Sequence, residues 1–582
     1  MLKKLTAIFL ILLLALLVSC GGEPTTPDEP VTPPAEDPPN DNPAGPEDDT
    51  NKFKIYDDGK LLSVIIIPEN ATTEERDIAR RISGAIFQRS RKDIEIISDK
   101  DLTETPSGAI VIGNTKLPES VAAYSELAVR SASIKIADGK LIVAFNRLYC
   151  ANTLTTELIA SMTGDYKTAV AFPLDTSLFL EVLPDESDLP EVPGSKSYSV
   201  GKGSDMIYAD ATVDSFKSFV GELKAIGFPL VSEREAEGNL FATFKGFDLY
   251  IHAYYTAYTG KIRVITGPIF ELAEASYDTG AEKTYTPYIT SIPQPDNGLG
   301  LIMRLPDGRF IIVDGGYKKE DRVYAALREL VPTGKITIAA WFISHPHNDH
   351  YGGFTEFLIN HGSDNDIVIE RVMLNFANPE SFYAVEDGDS TVEWDVNYIY
   401  KTIKESKPDL VITQVHTGQL IDFGDATVEI LYTMEDLMPA ELPNINDSSM
   451  AFRLKMGGSS FMVLADTCYR SGPIMNNMWG DYLKSDIVQI AHHGQWPSVE
   501  SIYHKIAAEV VIVPARLSRY KYDISDTRWD EQTEAYLSYA KDLYTACDEP
   551  IMIELPYVFK NNKDAMVTAI KNYIVKEDDP TA

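Results

Sequence analysis

The sequence has few histidines, few cysteines and few basic residues, and these shortages exclude several classes of function. Its 52 lysines and arginines face 87 acidic residues, so the formal net charge is −35. That balance disfavours general binding to nucleic-acid backbones, although a local positive pocket remains allowed. Four cysteines in 582 residues provide neither a disulfide framework nor a zinc knuckle. A chain of this length and mixed composition is typical of two to four globular domains.

Residues 1–20 contain an apolar run from Leu5 to Val18. Lys3 and Lys4 precede it, and Ser19 and Cys20 end it. The pattern predicts a secretory signal, too short to span a membrane. The small residue before the cysteine resembles the lipobox of bacterial lipoproteins. It implies that Cys20 is lipidated and is the only link to the membrane. An ordinary signal peptide with an incidental cysteine is the alternative.

Residues 21–52 hold nine prolines, nine acidic residues and no aromatic residue. Such a segment cannot bury a core, so we predict a stiff, charged tether. The working part of the protein is therefore expected outside the cytoplasm, displayed from the membrane or cell surface. The other three cysteines, Cys150, Cys468 and Cys547, are predicted to be buried thiols.

Two small domains are predicted next. Residues 53–185 alternate β-rich runs with a helical pattern. The helix after IIIPENAT, the strand IVIGNT and the hairpin that follows resemble the non-catalytic α/β domain that precedes the barrel of α-glucuronidases and β-hexosaminidases. This resemblance implies a carbohydrate setting. Residues 197–285 predict a small α+β domain with one helix. Its strand carries His252, which we interpret as structural.

The remaining residues, 286–575, predict a larger α/β domain. A hairpin around Asp307-Gly308 ends at Asp314, and a helix and a strand then lead to the sequence His345-Pro-His-Asn-Asp-His350. Three of the nine histidines of the chain thus lie within six residues, just past a strand end. Ligands commonly gather at such edges of α/β sheets. His345 and His347 are two residues apart, so on an extended segment their side chains project to the same side and can bind one ion. A turn after them would direct Asp349 and His350 to a second ion.

This motif resembles the signature of the metallo-β-lactamase superfamily, and the resemblance continues downstream. The runs IDFGDATVEILYT, NDSSMAFRLKMGGSSFMVLADT and SDIVQIAHHG are similar to later strands of that family. The resemblance implies an αββα sandwich and two divalent metal ions, with Asp466 shared between them and Asp314 supporting the metal loops. Zn²⁺ is expected, with Mn²⁺ or Fe²⁺ as alternatives. The last ligand is His492 or His493.

One departure concerns the histidine that many members carry before the strand SSMAFRL. Here Asn446 and Asp447 lie in that region, and His416 comes too early. One ion is therefore predicted to bind His345, His347 and Asp466, and the other Asp349, His350, Asp466 and one histidine of the pair. The absent histidine, and the absence of a cysteine ligand, disfavour β-lactamase activity.

The sequence combines three motifs, N-D-S-S before a strand, L-A-D and A-H-H-G, and lacks the middle histidine. This combination resembles the hydrolase domains of late-competence DNA-uptake proteins and of phosphorylcholine esterases. This implies hydrolysis of phosphodiester or phosphoester bonds by a metal-bridging hydroxide. Asp349, His492 and His493 are the predicted catalytic residues. The spare histidine of the pair would contact the phosphoryl oxygen, protonate the leaving group or hold a ligand.

The expected substrate is an extracellular or envelope polymer, a phosphoester or a glycan polymer. Tyr351, Arg516 and Arg519 are candidates for contact with it, with packing or a solvated loop as the alternative. Hydrolysis of another ester, lactone or amide bond is a second hypothesis. A non-catalytic glycan-binding lipoprotein is a third. The sequence does not indicate an oligomeric state.

Overall fold

The computed structural model describes residues 51–573, except residues 105, 163, 203, 269–270, 377–390, 439–441, 443, 496–499 and 524–529. The predicted signal peptide, Cys20 and nearly all of the predicted tether lie outside the described residues. Within the described part, no helix is long and apolar enough to cross a membrane. The chain divides into two units, which are described separately.

Unit 1 comprises the residues up to Ser125, Ser133–Ala144 and Thr155–Leu178. The elements of this region of the chain are β1 (Lys52–Asp57), β2 (Lys60–Leu61), β3 (Val64–Ile67), α1 (Thr73–Ser90), β4 (Ile96–Ser98), β5 (Ala109–Ile112), α2 (Pro118–Ser125), β6 (Ser131–Ala137), β7 (Lys140–Phe145), α3 (Leu148–Met162), β8 (Val170–Pro173) and β9 (Ser177–Glu181). They form sheets in the orders β2-β1-β8 and β4-β3-β5-β7-β6-β9. Thr72 and Glu75 form a capping box that starts α1.

Unit 2 begins with an antiparallel sheet in the order β10-β11-β15-β14-β13-β12. Its elements are β10 (Lys196–Lys202), β11 (Ser204–Asp210), α4 (Val213–Ile226), β12 (Leu230–Ala236), β13 (Asn239–Lys245), β14 (Leu249–Thr256) and β15 (Lys261–Pro268). Phe216, Phe219 and Leu223 of α4 pack on one face of this sheet. Phe241 and Tyr254, on the other face, pack against the next part of the unit.

The rest of unit 2 contains two larger sheets. The first has the order β16-β23-β22-β20-β19-β18-β17-β31, with β21 beside β20, and the second has the order β24-β25-β26-β27-β28-β29-β30. Their elements are β16 (Glu271–Leu272), β17 (Tyr288–Ser291), β18 (Gly300–Arg304), β19 (Phe310–Asp314), α5 (Arg322–Leu330), β20 (Ile336–Phe342), α6 (Asn348–His361), β21 (Ile367–Ile369), β22 (Val372–Leu374), α7 (Thr391–Ser406), β23 (Ile412–Gln414), β24 (Leu420–Asp422), β25 (Ala426–Tyr432), β26 (Ala451–Met456), β27 (Ser459–Val463), α8 (Ser471–Trp479), β28 (Ile487–Gln489), α9 (Glu500–Ile506), β29 (Val510–Val513), α10 (Leu517–Asp523), α11 (Asp530–Tyr539), β30 (Asp542–Thr545), β31 (Met552–Glu554) and α12 (Lys563–Asn572).

These two sheets pack face to face and are covered by helices. Leu301 and Ile311 of the first sheet share a buried core with Phe452 and Ile487 of the second. The outer face of the first sheet packs on α5, α6 and α7. The outer face of the second packs on α8, α9, α11 and α12. The predicted α/β class and the αββα sandwich are confirmed.

The sequence around the site explains its place in this sandwich. All but one of the residues of β20 are buried, and the strand runs parallel to β19, as expected for a strand covered on both faces. β27 likewise runs parallel to β28. The carboxyl ends of these four strands lead directly into the residues that the sequence singled out: Asp314, His345, Asp466 and His492–His493.

Candidate metal centre

Two groups of potential ligands meet where the strands end. His345, His347 and Asp466 form the first group, and Asp349, His350, Asp466 and His493 form the second. Within each group, one ligand atom per residue lies within 4.8 Å of the others. Asp466 belongs to both groups, so one carboxylate lies between two places where a cation can bind.

The two histidines of the first group lie on the loop between β20 and α6. His345 is fully buried, and its Nε2 lies 3.0 Å from Nδ1 of His347 and 3.9 Å from Oδ2 of Asp466. Ser344 Oγ lies 3.1 Å from the other ring nitrogen of His345. This contact orients Nε2 toward the ligand group.

The second group is held from behind by Asp314. Its Oδ2 lies 2.8 Å from Nδ1 of His350, and both its oxygens accept hydrogen bonds from Ser344. The Nε2 of His350 therefore faces Asp466, 3.2 Å from Oδ2, at an angle that makes no hydrogen bond. A carboxylate behind a histidine fixes its tautomer and orientation for binding a cation. The resemblance to the metallo-β-lactamase superfamily implied a supporting position of this kind for Asp314.

Four glycines let α6 approach the loop after β19. The N–H of Gly353 donates to the carbonyl of Gly316 at 2.7 Å, and that of Gly315 donates to the carbonyl of His350 at 2.7 Å. A Cβ on Gly353 would lie 2.2 Å from the oxygen of Gly315, and one on Gly352 would lie 2.5 Å from the nitrogen of Lys318. The glycines after the histidine motif are therefore needed to bring Asp349 and His350 to the site.

Asp466 is positioned by Gln489, which the sequence gave no reason to select. The buried Oε1 of Gln489 accepts from the N–H groups of Leu464 and Ala465, and its Nε2 donates to the carbonyl oxygens of Ala465 and Ile490. Ala465 has a φ of 48°, a left-handed conformation that alanine rarely adopts. The side chain of Gln489 thus links the loop that carries Asp466 to the segment that leads into His492 and His493.

His492 and His493 both adopt left-handed conformations, with φ of 48° and 58°. The turn separates their side chains. His493 donates from Nδ1 to the carbonyl of Pro514 at 2.8 Å, and its Nε2 lies 3.1 Å from Asp349 and 3.4 Å from Asp466. The structure places His493 in the second group and leaves His492 outside both groups. Strain of this kind clusters at functional sites.

The charges of the site compete for protons. Burial lowers the pKa of His493, but Asp466 and Asp349 outweigh it and raise the pKa to about 10. Burial raises the pKa of Asp466, yet His350 and His493 bring it well below its usual value. Binding of a cation requires deprotonated imidazoles, and it would replace these protons with metal charge.

The residues fit divalent cations. Oδ1 of Asp466 and Nε2 of His350 are buried without a hydrogen-bond partner among the described residues. Such orphaned groups are costly unless a ligand satisfies them. Imidazole nitrogens mixed with carboxylate oxygens are a donor set that suits Zn²⁺, Mn²⁺ and Fe²⁺.

A cleft of about 220 Å³ opens over both groups. It is lined by Asp296, Asn297, Tyr317, His347, Asp349, Asn446, Asp466, His492, His493, Gln495 and Arg519. Asn446, in the region where the expected histidine is missing, has Nδ2 3.3 Å from Nε2 of His492. Asp447 instead turns inward, accepting hydrogen bonds from the backbone and hydroxyl of Ser471.

The predicted substrate contacts fall in different places. Arg519 lines the cleft, whereas Arg516 bonds to the carbonyl of Pro295 and to Asp548. Tyr351 is buried in α6 and donates to Asp395. Tyr317, which the sequence analysis missed, lines the cleft. Its position directly after Asp-Gly-Gly was the available signal.

Two further histidines, His252 and His416, and three cysteines are buried outside the ligand groups. His252 and His416 stack at 4.8 Å between ring centres, and His416 pairs with Glu435. Cys150, Cys468 and Cys547 are buried and free, as predicted. Neither histidine belongs to the two ligand groups.

The fold and the site define an αββα protein with a candidate metal centre. No protein-family model matches the chain, and no curated protein matches it either. Among solved structures, a point mutant of the CmlA β-hydroxylase is 16% identical over 49% of this chain and 51% of that chain, with a TM-score of 0.25. The chain thus spans about half the length of that enzyme.

Metallo-β-lactamases are also among the matches. One from Cronobacter sakazakii with a HARLDQ motif is 16% identical, over 35% of this chain and 79% of that one, with a TM-score of 0.22. One from Hirschia baltica is 9% identical, over 60% of this chain and 100% of that one, with a TM-score of 0.20. Similarities this weak carry no functional assignment, which has to come from the site itself.

Proposed function

We propose that the protein is a metal-dependent hydrolase that uses two divalent cations, most simply Zn²⁺, to cleave phosphodiester or phosphoester bonds. The observation that carries the proposal is the pair of ligand groups sharing Asp466 beneath one open cleft. His345 and His347 would hold one cation, and Asp349, His350 and His493 the other. Two such cations would activate water at neutral pH and offset the negative charge of an in-line displacement.

The protein's own groups would orient the substrate. Arg519 is the one lysine or arginine among the described residues that line the cleft, and a guanidinium matches phosphate geometry. His492 and Asn446 lie together on the cleft wall. Their ring and amide nitrogens can hydrogen-bond a phosphoryl oxygen, the first of the roles predicted for the spare histidine. Arg519, His492 and Asn446 thus favour a phosphoryl group over an uncharged ester.

We also propose that the protein acts outside the cytoplasm, anchored through a lipid on Cys20. The apolar run before Cys20 and the proline-rich acidic residues 21–52 support this location. An extracellular or envelope polymer would then be the substrate. The strongly negative net charge disfavours nucleic acid, and the resemblance of residues 53–185 to domains of carbohydrate-active enzymes favours a glycan polymer.

A fragment starting at Asn51 would test the activity. It would be stripped of metal, reloaded with Mn²⁺ or Zn²⁺ and assayed with bis(p-nitrophenyl) phosphate. We expect metal-dependent turnover that His347→Ala abolishes and that His504→Ala, at an exposed histidine, leaves unchanged. Two bound ions without turnover would favour the other ester, lactone or amide bonds. No bound metal would contradict the enzyme proposal and favour the glycan-binding lipoprotein.

A further inference from the structure

An exposed tryptophan lies on α7, the helix that packs against α6. Of the three tryptophans that the structure describes, Trp341 and Trp479 are fully buried, whereas Trp394 on α7 is 63% exposed. One face of its ring stacks on Tyr398, with 5.1 Å between ring centres and 5° between ring planes. The exposed indole of Trp394 is therefore a flat aromatic surface that Tyr398 supports from one side.

Contacts between α6 and α7 place this pair at the metal end of α6. Tyr351 directly follows the ligand His350, and its hydroxyl donates to Asp395 at 2.5 Å, the residue next to Trp394. The rings of Tyr351 and Tyr398 lie 6.3 Å apart. The first turn of α7 therefore lies against the first turn of α6, where Asp349 and His350 are held.

A lysine connects the aromatic pair to the cleft. The Nζ of Lys318 donates to the hydroxyl of Tyr398 at 3.0 Å and lies 5.7 Å from the centre of its ring. Lys318 directly follows Tyr317, which lines the cleft. From the cleft outward, the chain thus presents a cleft tyrosine, an ammonium group and a flat aromatic surface.

We infer that Trp394, Tyr398 and Lys318 form a subsite that binds a sugar ring attached to the phosphoryl group in the cleft, so that the substrate is a glycosyl phosphodiester. This inference rests on the proposed function. The apolar face of a pyranose fits one flat indole, whereas a quaternary ammonium needs several surrounding rings and would be repelled by Lys318. A nucleic acid strand needs a longer cationic groove than Lys318 and Arg519 supply.

The test compares two chromogenic phosphodiesters that differ only in the sugar: glucose 1-(p-nitrophenyl phosphate) and methyl p-nitrophenyl phosphate. We expect the metal-loaded protein to prefer the glucosyl compound in kcat/KM. Trp394→Ala should lower that preference about five- to tenfold, and Trp394→Phe should retain most of it. Tyr166→Ala, at an exposed tyrosine of unit 1, should leave it unchanged.

A binding measurement separates this inference from the proposed function. Calorimetry with glucose 1-phosphate and methyl phosphate gives the sugar preference even if neither diester is hydrolysed. If the protein hydrolyses neither diester but binds glucose 1-phosphate more tightly, and Trp394→Ala loses that preference, the hydrolase proposal is contradicted and the sugar subsite is supported. Equal binding of both phosphates, or a preference that survives Trp394→Ala, would overturn the subsite. A preference for p-nitrophenyl phosphorylcholine that depends on Trp394 would overturn the sugar assignment.

Discussion

Asp314 binds His350 from the side opposite the ligand group, with 2.8 Å between Oδ2 and Nδ1. The aspartate ends β19, the histidine lies in the first turn of α6, and both are fully buried. Because the same carboxylate also accepts from Ser344, it fixes the loop that carries His345. One buried residue outside the two ligand groups thus orients a histidine of each group.

Asp314→Asn should therefore weaken metal binding without removing a ligand. An amide cannot hold the imidazole as a carboxylate does, and loss of such a partner costs about 10- to 100-fold in metal affinity. Competition with a chromogenic chelator measures this change. Asp425→Asn, at an exposed carboxylate, is the control and should bind metal as the parent does. Equal affinities would show that Asp314 has only a structural role.

The two ligand groups should lose their ions separately. His347→Ala removes a ligand from the first group alone, and His493→Ala removes one from the second. If the parent protein binds two ions, each variant should retain about one after dialysis, because removing a ligand from one group weakens metal binding by that group only. Elemental analysis by mass spectrometry gives the stoichiometry. A variant that loses both ions would indicate one coupled site in place of two.

Gly353→Ala should destabilise unit 2. The new Cβ would lie 2.2 Å from the backbone oxygen of Gly315, which cannot move without displacing the Asp314 loop. We expect a loss of about 2 kcal/mol or more in the free energy of unfolding by urea. Gly221→Ala is the matched control, since it lies in α4 with open space around it. It should stabilise by about 0.5–1 kcal/mol, and equal effects would contradict the packing argument.

His361, the last residue of α6, should make stability depend on pH. Burial lowers its pKa, but hydrogen bonds to Asp321 and Asp364 outweigh it and raise the pKa above 6.5. A raised folded pKa stabilises below the unfolded value, and the effect is lost as pH rises through the folded value. The cost of His361→Gln in urea unfolding should therefore be larger at about pH 5.5 than at about pH 9. An equal loss of stability at both pH values would contradict ion pairing of His361 with Asp321 and Asp364.

Sequence patterns predicted the parts of the fold that depend on local periodicity and turns. The runs IDFGDATVEILYT and NDSSMAFRLKM form β24–β25 and β26, and the Asp307-Gly308 turn joins β18 to β19. Alternation and Asp-Gly turns are local properties, so they can be read without the tertiary structure. The candidate metal ligands were equally accessible, because four of them lie within one short motif.

The tertiary structure decided what depends on side-chain direction. His492 and His493 are neighbours with the same chemistry, and only their left-handed turn places one near Asp349 and the other beside Asn446. No sequence pattern distinguishes Gln489 from other polar residues. Its role depends on the fold, which brings its side-chain oxygen to the N–H groups of Leu464 and Ala465. Arg516 and Arg519 are also equivalent in sequence terms, and only the fold places Arg519 in the cleft and Arg516 beside Asp548.

The sequence by itself thus predicted the two groups of candidate ligands from residue types at fixed spacing. Its resemblance to the metallo-β-lactamase superfamily implied the αββα sandwich and a supporting position for Asp314. Only the tertiary structure placed Trp394 next to the first turn of α6 and put Tyr351 into the core. Both outcomes depend on how α6 and α7 pack, and packing joins residues that lie more than forty positions apart, which no local pattern encodes.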